Sequence, residues 1–216
     1  MAMKREDAIV LNYHDSLLRE SDLKLLDESN WLNDQIISFV FEYFEYEKYN
    51  SLVEENKIIF LNPNFTQILK INNDMGQLIE VFLDPLEVLK TEVIIFPINN
   101  NSTATIAGGS HWSIMAIYKN EHRFVHYDSF HSANKEIAIK IYNKFKSYFQ
   151  CNHFHEEITC PQQSNTSDCG VYLLAIADAI ANSLLTKTSL DLTRITPDFI
   201  LKLRINYKNL IRSLDK

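Results

Sequence analysis

Glycine and proline are scarce in this chain, four and five of 216 residues, and nowhere do they gather with serine into a linker. Nothing in the composition divides the sequence, so one domain spanning residues 1–216 is expected. Lysine and arginine form no run, and the formal net charge is -7. That balance argues against nucleic acid, which takes a clustered basic surface, and suits a partner that is basic at least locally. Cysteine is limited to Cys151, Cys160 and Cys169. An odd, small number disfavours a disulfide framework and favours a reducing compartment, cytoplasmic and/or nuclear.

Long apolar runs are missing too. Val171 to Ile180 is interrupted by Asp178 and falls short of the roughly 18 apolar residues a bilayer span needs. The opening Met1–Asp7 is charged and has no apolar stretch behind it, unlike a secretory signal. Neither membrane insertion nor a leader is expected. What the chain does have is 46% hydrophobic residues, enough for a sizeable core and too many for disorder.

Periodicity places the elements. Asn30 can cap a long amphipathic helix with Trp31, Ile36, Ile37, Val40, Phe41 and Phe44 near one face. The apolar Ile58–Leu61 follows, then a mixed segment through Gly76 and Pro85 suited to short helices and loops. Val93–Ile98, Trp112–Tyr118 and Arg123–Asp128 are β-rich, and the first is apolar enough to be covered on both faces. Asn99–Ser110 is a long polar loop, a kind usually functional or mobile inside a compact domain. Ser132 can start a helix carrying Ile137, Ile141, Phe145, Tyr148 and Phe149. Another begins near Cys169 and is apolar almost all round, as a buried central helix would be. Thr196–Pro197 opens a last one. The class is α+β, a central mixed sheet packed by helices.

Cys169 sits between Asp168 and Gly170 at a helix start, where the positive end of the helix dipole favours a thiolate. His111 opens one β-run and Asp128 closes the next. If the turn between them is centred between Lys119 and Asn120, the two side chains are opposed; one residue later, they are diagonal neighbours on the same face, about 7–8 Å apart at the backbone. Either register lets the carboxylate fix the imidazole tautomer, leaving the other ring nitrogen for a thiol proton. The Cys169 amide together with the side chain of Gln163 can bind an oxyanion, and Gln162 is a rival for that role. Those are the parts of a cysteine hydrolase. Taken singly each has a blander reading: a buried cysteine, a structural histidine, a turn carboxylate. Their conjunction carries the argument. His126 is a reserve base, and His122 reads as turn surface. Cys151, His153, His155 and Cys160 match no common zinc spacing, so neither metal nor cofactor is called for.

Four segments also resemble the Ulp1/sentrin-specific cysteine proteases that process ubiquitin-like modifiers: Trp31-Leu32-Asn33-Asp34, His111-Trp112-Ser113, His126-Tyr127-Asp128-Ser129, and Gln162 through Gly170. The short deneddylase branch, acting on the modifier attached to cullins, is the most similar. This resemblance implies a papain-like fold in permuted chain order, with His111 as base, Asp128 as its orienting acid, Cys169 as nucleophile and Gln163 as oxyanion donor. It also implies that Trp31 and Trp112 cover a tunnel for the modifier's terminal Gly-Gly, and only glycine is slim enough to pass between two indoles. Asp34 and the Asn99–Ser110 loop would contact the modifier, with the negative chain facing its basic tail. A monomer is expected. Thr166-Ser167 departs from the aromatic residue often found before Asp-Cys-Gly in this family. An acyltransferase built from the same parts would need a phosphate cradle, and no basic Gly-rich segment supplies one. A purely binding module would have lost part of the triad, and all of it is here.

Overall fold

The computed structural model describes residues 7–103 and 108–215. The first six residues of the charged N-terminal stretch and residues 104–107 of the polar loop lie outside the described residues. The strands are β1 (Ile9–Tyr13), β2 (Ser16–Arg19), β3 (Ile58–Phe60), β4 (Val93–Asn99), β5 (Trp112–Tyr118), β6 (Arg123–Tyr127) and β7 (His153–Glu156). The α-helices are α1 (Glu20–Lys24), α2 (Asp34–Tyr43), α3 (Asn50–Glu54), α4 (Pro63–Ile71), α5 (Met75–Gln77), α6 (Lys135–Phe145), α7 (Cys169–Thr186) and α8 (Pro197–Leu214).

The central sheet runs β3-β4-β5-β6-β7. Strands β4, β5 and β6 form an antiparallel meander, while β3 and β7 are parallel to their neighbours, so the sheet is mixed as expected. Alternation along β4 explains its unbroken apolar run. Val93 and Ile95 join Ile114, Ala116, Val125 and Tyr127 in a core shared with α2, α7 and α8. Ile94, Phe96 and Ile98 point the other way, with Met115, Ile117 and Phe124, into a second core shared with α4 and α6. A strand with both faces buried loses the polar half of its pattern. Pro97 is tolerated because pairing with β3 ends at Ile95, leaving that side of the strand without a ladder to break.

Several boundaries differ from the sequence reading. The cap of the first long helix is Asn33, whose side-chain oxygen accepts from Ile36 N at 3.1 Å, while Asn30 instead donates to Lys24 O. Trp31 therefore lies in the approach to α2 and is 49% exposed. Ser132 sits at a positive φ of 61° in a tight turn, which delays α6 to Lys135. Helix α8 begins as expected, with Thr196 Oγ1 accepting from Phe199 N and Pro197 in the first turn. Helix α7 extends well past Ile180 to Thr186; by length and composition it could cross a membrane, yet it is 61% buried within the fold.

Tyr118 pairs with Arg123 and Ile114 with Tyr127, which selects the later of the two hairpin registers. A turn over Lys119–Glu121 ends at His122, in the left-handed region at φ 52° and exposed. His111 and Asp128 are thus diagonal rather than opposed. At the start of α7, a Cβ on Gly170 would stand 2.9 Å from Leu32 Cβ. Glycine is needed there so that the Trp31–Leu32 segment can rest on the start of α7. Gly170→Ala should gain about 1 kcal/mol of helix propensity but lose about 1–3 kcal/mol to overpacking, a net loss visible as a lower thermal midpoint.

Candidate active site

The hairpin register, the turn after β6 and the start of α7 bring three side chains into one buried line. His111 Nε2 lies 2.6 Å from Asp128 Oδ1, with the two side chains 7% and 1% exposed. The Cys169 thiol faces the same imidazole closely enough to influence its proton. With Nε2 committed to the carboxylate, Nδ1 is the nitrogen left for sulfur. Burial alone would push the His111 pKa down, but Asp128 and Cys169 raise it to about 9. The ring therefore carries its proton at neutral pH.

Asp128 is kept charged by its donors. Burial raises its pKa, yet the His111 bond and the backbone N–H groups of Asn134 (2.9 Å to Oδ2) and Phe130 (2.9 Å to Oδ1) bring it below the ordinary carboxylate value. His126 Nε2 stands 4.0 Å from Oδ2 and bonds Ser113 Oγ at 3.0 Å. It is fully buried, and that burial lowers its pKa to about 4. His126 is thus a neutral neighbour of the carboxylate, walled off from solvent, which removes it as a reserve base.

The two glutamines are separated by what their amides already do. Gln162 Nε2 donates to both Asp128 O and Cys160 O, and its Oε1 accepts from His131 N. Both its N–H bonds are taken, and it works as a clamp on the Asp128 turn. Gln163 Oε1 accepts from Ser129 Oγ and its Nε2 donates to Asn165 O at 2.6 Å, which leaves one N–H. The Cys169 N–H meets no protein acceptor among the described residues. Two donors, one of them on Cys169 itself, are thus left open to an anion.

Both indoles are tied by their N–H groups. Trp112 donates to Leu32 O at 3.0 Å and Trp31 to Thr166 O at 2.8 Å, so the Trp31–Leu32 segment is fastened to β5 on one side and to the loop before Cys169 on the other. Asp34, in the first turn of α2, lines a cleft of about 400 Å³ with Trp112, Gln67, Lys70, Asn101 and Gly109. Trp31 is not part of that lining. The described part of the polar loop is anchored: Lys70 donates to Asn99 O and Asn101 O, and Asn100 Oδ1 accepts from Ser110 N and His111 N. Cys151, His153, His155 and Cys160 do not converge. The two cysteines belong to cores on opposite faces of the sheet, while both imidazoles are exposed.

Sequence reasoning missed three contributors. Asn134, fully buried, binds Asp128 through its backbone and Ser113 Oγ through its side chain. The Phe130 ring sits 5.8 Å from that of His111. Arg204 is buried under the Cys169 loop. A usable signal existed only for Arg204, a cation on the otherwise apolar stripe Ile200, Tyr207, Ile211.

A thiol, an imidazole and a carboxylate in this order, with the thiol on the first turn of a helix packed against the sheet, define a thiol hydrolase of the papain-like kind. The chain belongs to the Ulp1 protease family, whose C-terminal catalytic domain matches residues 30–213, and it is accordingly a cysteine-type peptidase. It is 37% identical to sentrin-specific protease 8 of Rattus norvegicus over 97% of both chains. It is 35% identical to NEDD8-specific protease 1 of Arabidopsis thaliana, over 83% of this chain and 78% of that one. The fold is that of the Ulp1 protease domain crystallised with Smt3, the yeast ortholog of SUMO: TM-score 0.68 at 22% identity, covering 97% of this chain and 89% of the other.

The buried imidazole makes a prediction about stability. His126 titrates at about 4 in the fold and at about 6.5 when unfolded. Between those values the unfolded chain binds the extra proton, so stability falls as pH drops, by up to about 1.4 kcal/mol per unit. Glu45, pushed up to about 7 by burial, acts with the opposite sign over part of the range. The urea midpoint of His126→Gln minus that of the parent, followed from pH 7 to 4, isolates the term and should rise steadily as pH falls.

Proposed function

We propose that the chain cleaves after the terminal Gly-Gly of a NEDD8-like modifier, removing it from conjugates such as those on cullins. The observation that carries the chemistry is the buried line from Asp128 through His111 to the Cys169 thiol, with 2.6 Å between carboxylate and ring. The preference for this modifier is supported by relatives named sentrin-specific protease 8 and NEDD8-specific protease 1. A net charge of -7 suits a modifier with a basic tail.

Cys169 Sγ attacks the carbonyl carbon of the last glycine, forming the C–S bond, while the carbonyl oxygen becomes an oxyanion held by the Cys169 N–H and the remaining N–H of Gln163. When the tetrahedral intermediate collapses, the C–N bond to the target lysine breaks and His111 passes its proton to the leaving amine. Water, deprotonated by His111, then attacks the thioester carbonyl. The modifier leaves with a free carboxylate, and the sulfur recovers its pair with the ring. Asp128 holds the ring in place and stabilises its charge throughout. Trp112 and Asp34 border the groove for the modifier's tail, and Trp31 lies over the approach to Cys169. The enzyme acts as a monomer in a reducing compartment, cytoplasmic and/or nuclear, where its three free thiols stay reduced.

Covalent trapping is the direct test. C-terminal electrophile derivatives of NEDD8, ubiquitin and SUMO are offered separately and the adduct is mapped by mass spectrometry. A Cys169 adduct formed much faster with NEDD8 is expected; faster labelling by either of the others would keep the chemistry and replace the modifier. Cys169→Ala should lose all turnover while still binding NEDD8 by fluorescence anisotropy.

The ring's titration adds a pH signature. Because His111 is raised to about 9, kcat/KM should hold through neutral pH and fall on the alkaline side near that value as the imidazolium loses its proton. Asp128→Asn removes a main cause of the rise, and the alkaline limb should move down toward about 6.5. An unmoved limb would show that another group controls it.

A further inference from the structure

Arg204 is the largest fully buried side chain among the described residues. It occupies a turn of α8 whose neighbours on the same stripe, Ile200, Tyr207 and Ile211, are core residues. A guanidinium buried at such a place is costly unless its donors are met, and here they are. Nε donates to Asp168 Oδ1 at 2.9 Å. Nη2 donates to the same oxygen at 2.7 Å, to Ser167 O at 3.1 Å and to Asn30 O at 2.9 Å. Nη1 donates to Leu25 O at 2.9 Å and Asp27 O at 3.3 Å.

The acceptors fall on two segments with functional neighbours. Asn30 immediately precedes Trp31, and Asp168 immediately precedes Cys169. Trp31 Nε1 joins the same two segments again through Thr166 O. From Asp168 the bonding continues inward: its Oδ2 accepts from Asn165 Nδ2 at 2.7 Å, and Asn165 O accepts from Gln163 Nε2 at 2.6 Å. One chain of bonds therefore runs from Arg204 through Asp168 and Asn165 to the oxyanion donor. Electrostatics adds a second effect. A carboxylate next to the nucleophile would oppose a thiolate, and the guanidinium on Asp168 offsets that charge.

We propose that Arg204 is a positioning residue for catalysis: through Asp168 it sets the Cys169 thiol and the Gln163 amide, and through Asn30 it sets Trp31, so that nucleophile, oxyanion donor and tunnel cover keep one fixed arrangement. The proposal rests on the assignment of Cys169 and Gln163 above. A helix strut alone would need no contact with the residues before Cys169 and Trp31. A lysine could match the charge of Arg204 but not its planar, multidentate fork.

The test compares Arg204→Lys, Asp168→Asn and the double variant with the parent. Three properties are measured: thermal midpoint, kcat and KM on NEDD8 carrying a C-terminal coumarin amide, and intrinsic tryptophan fluorescence. Trp31 and Trp112 are the two tryptophans of the chain, so emission reports on the tunnel. Displacing reacting groups by about 1 Å costs on the order of 100-fold, so each single variant should lose about 10–100-fold in kcat, corrected for folded fraction, with KM changed far less. Emission should shift, and the double variant should be scarcely worse than the worse single one, because both substitutions break one network. A corrected kcat within about twofold of the parent in either single variant, whatever its midpoint, would reduce Arg204 to a strut and overturn the proposal. If Arg204→Lys fails to fold, Asp168→Asn decides by the same criterion. Mapping the NEDD8 electrophile on the parent separates the two claims: no adduct at Cys169 would sink the nucleophile assignment, whereas a normal adduct on the parent with unimpaired variants sinks only the role of Arg204.

Discussion

The Asp128 carboxylate has been removed from water, and much of the site is arranged to keep it charged. Its side chain is 1% exposed, and a lone carboxylate at such a depth would take up a proton. Two backbone N–H groups, from Phe130 and Asn134, come from the turn that the chain makes directly after β6. The third donor is His111, which reaches it because the β5–β6 register keeps the two residues on one face. A slip of one residue would send every side chain of β6 to the opposite core, exchanging Phe124 and Val125 between two differently shaped interiors. Packing of the sheet therefore fixes the register, and the register brings the carboxylate to the imidazole.

The same charge determines the state of the imidazole. Burial by itself would leave His111 neutral, as it does His126 a short distance away on the same carboxylate. The two rings differ in contact rather than in depth. His111 stands 2.6 Å from Asp128 and also meets the thiol, whereas His126 stands 4.0 Å away and turns its Nε2 to the Ser113 hydroxyl. One carboxylate thus serves a charged ring that faces the Cys169 thiol and tolerates a neutral one sealed in the interior.

Much of this was legible in the residues. The unbroken apolar run Val93–Ile98 marked a strand covered on both faces, the near-total apolarity of α7 marked a central helix, and Cys169, His111 and Asp128 stood out by chemical type, with Gln163 and its rival Gln162 beside them. What stayed hidden has physical causes. Two hairpin registers fit the turn equally well in sequence, and only the packing of both cores selects one. Hairpin β1–β2 and edge strand β7 are short and half exposed, so their apolar pattern is weak. Asn30 and Asn33 are equally good caps by type, and Asn33 prevails because its amide also binds Asp22 at 2.7 Å while its oxygen caps Ile36. The choice between Gln162 and Gln163 could not be made until the partners of each amide were known. Asn134 is an ordinary asparagine near a turn until the fold places it under the acid.

The segment before Cys169 and the loop beginning at Asn99 are held in different settings, which bears on how one site combines fixed chemistry with selective binding. Before Cys169 the chain is fastened by a buried guanidinium, 2% exposed, to a carboxylate and four carbonyls. Such charge-assisted bonds, out of reach of water, are short and stiff. Along the cleft lined by Asp34 and Trp112, the loop beginning at Asn99 is held by Gln67 and Lys70 from α4, side chains that donate to loop carbonyls while remaining partly open to solvent. Partial hydration makes these bonds easier to exchange for others. Positional error is least tolerable where a thiol must meet a carbonyl carbon within a fraction of an ångström, and the stiffer bonds lie there. Recognition of a folded modifier works over a broad surface, where a wall that can exchange its hydrogen bonds accommodates the incoming chain without disturbing the Cys169 thiol.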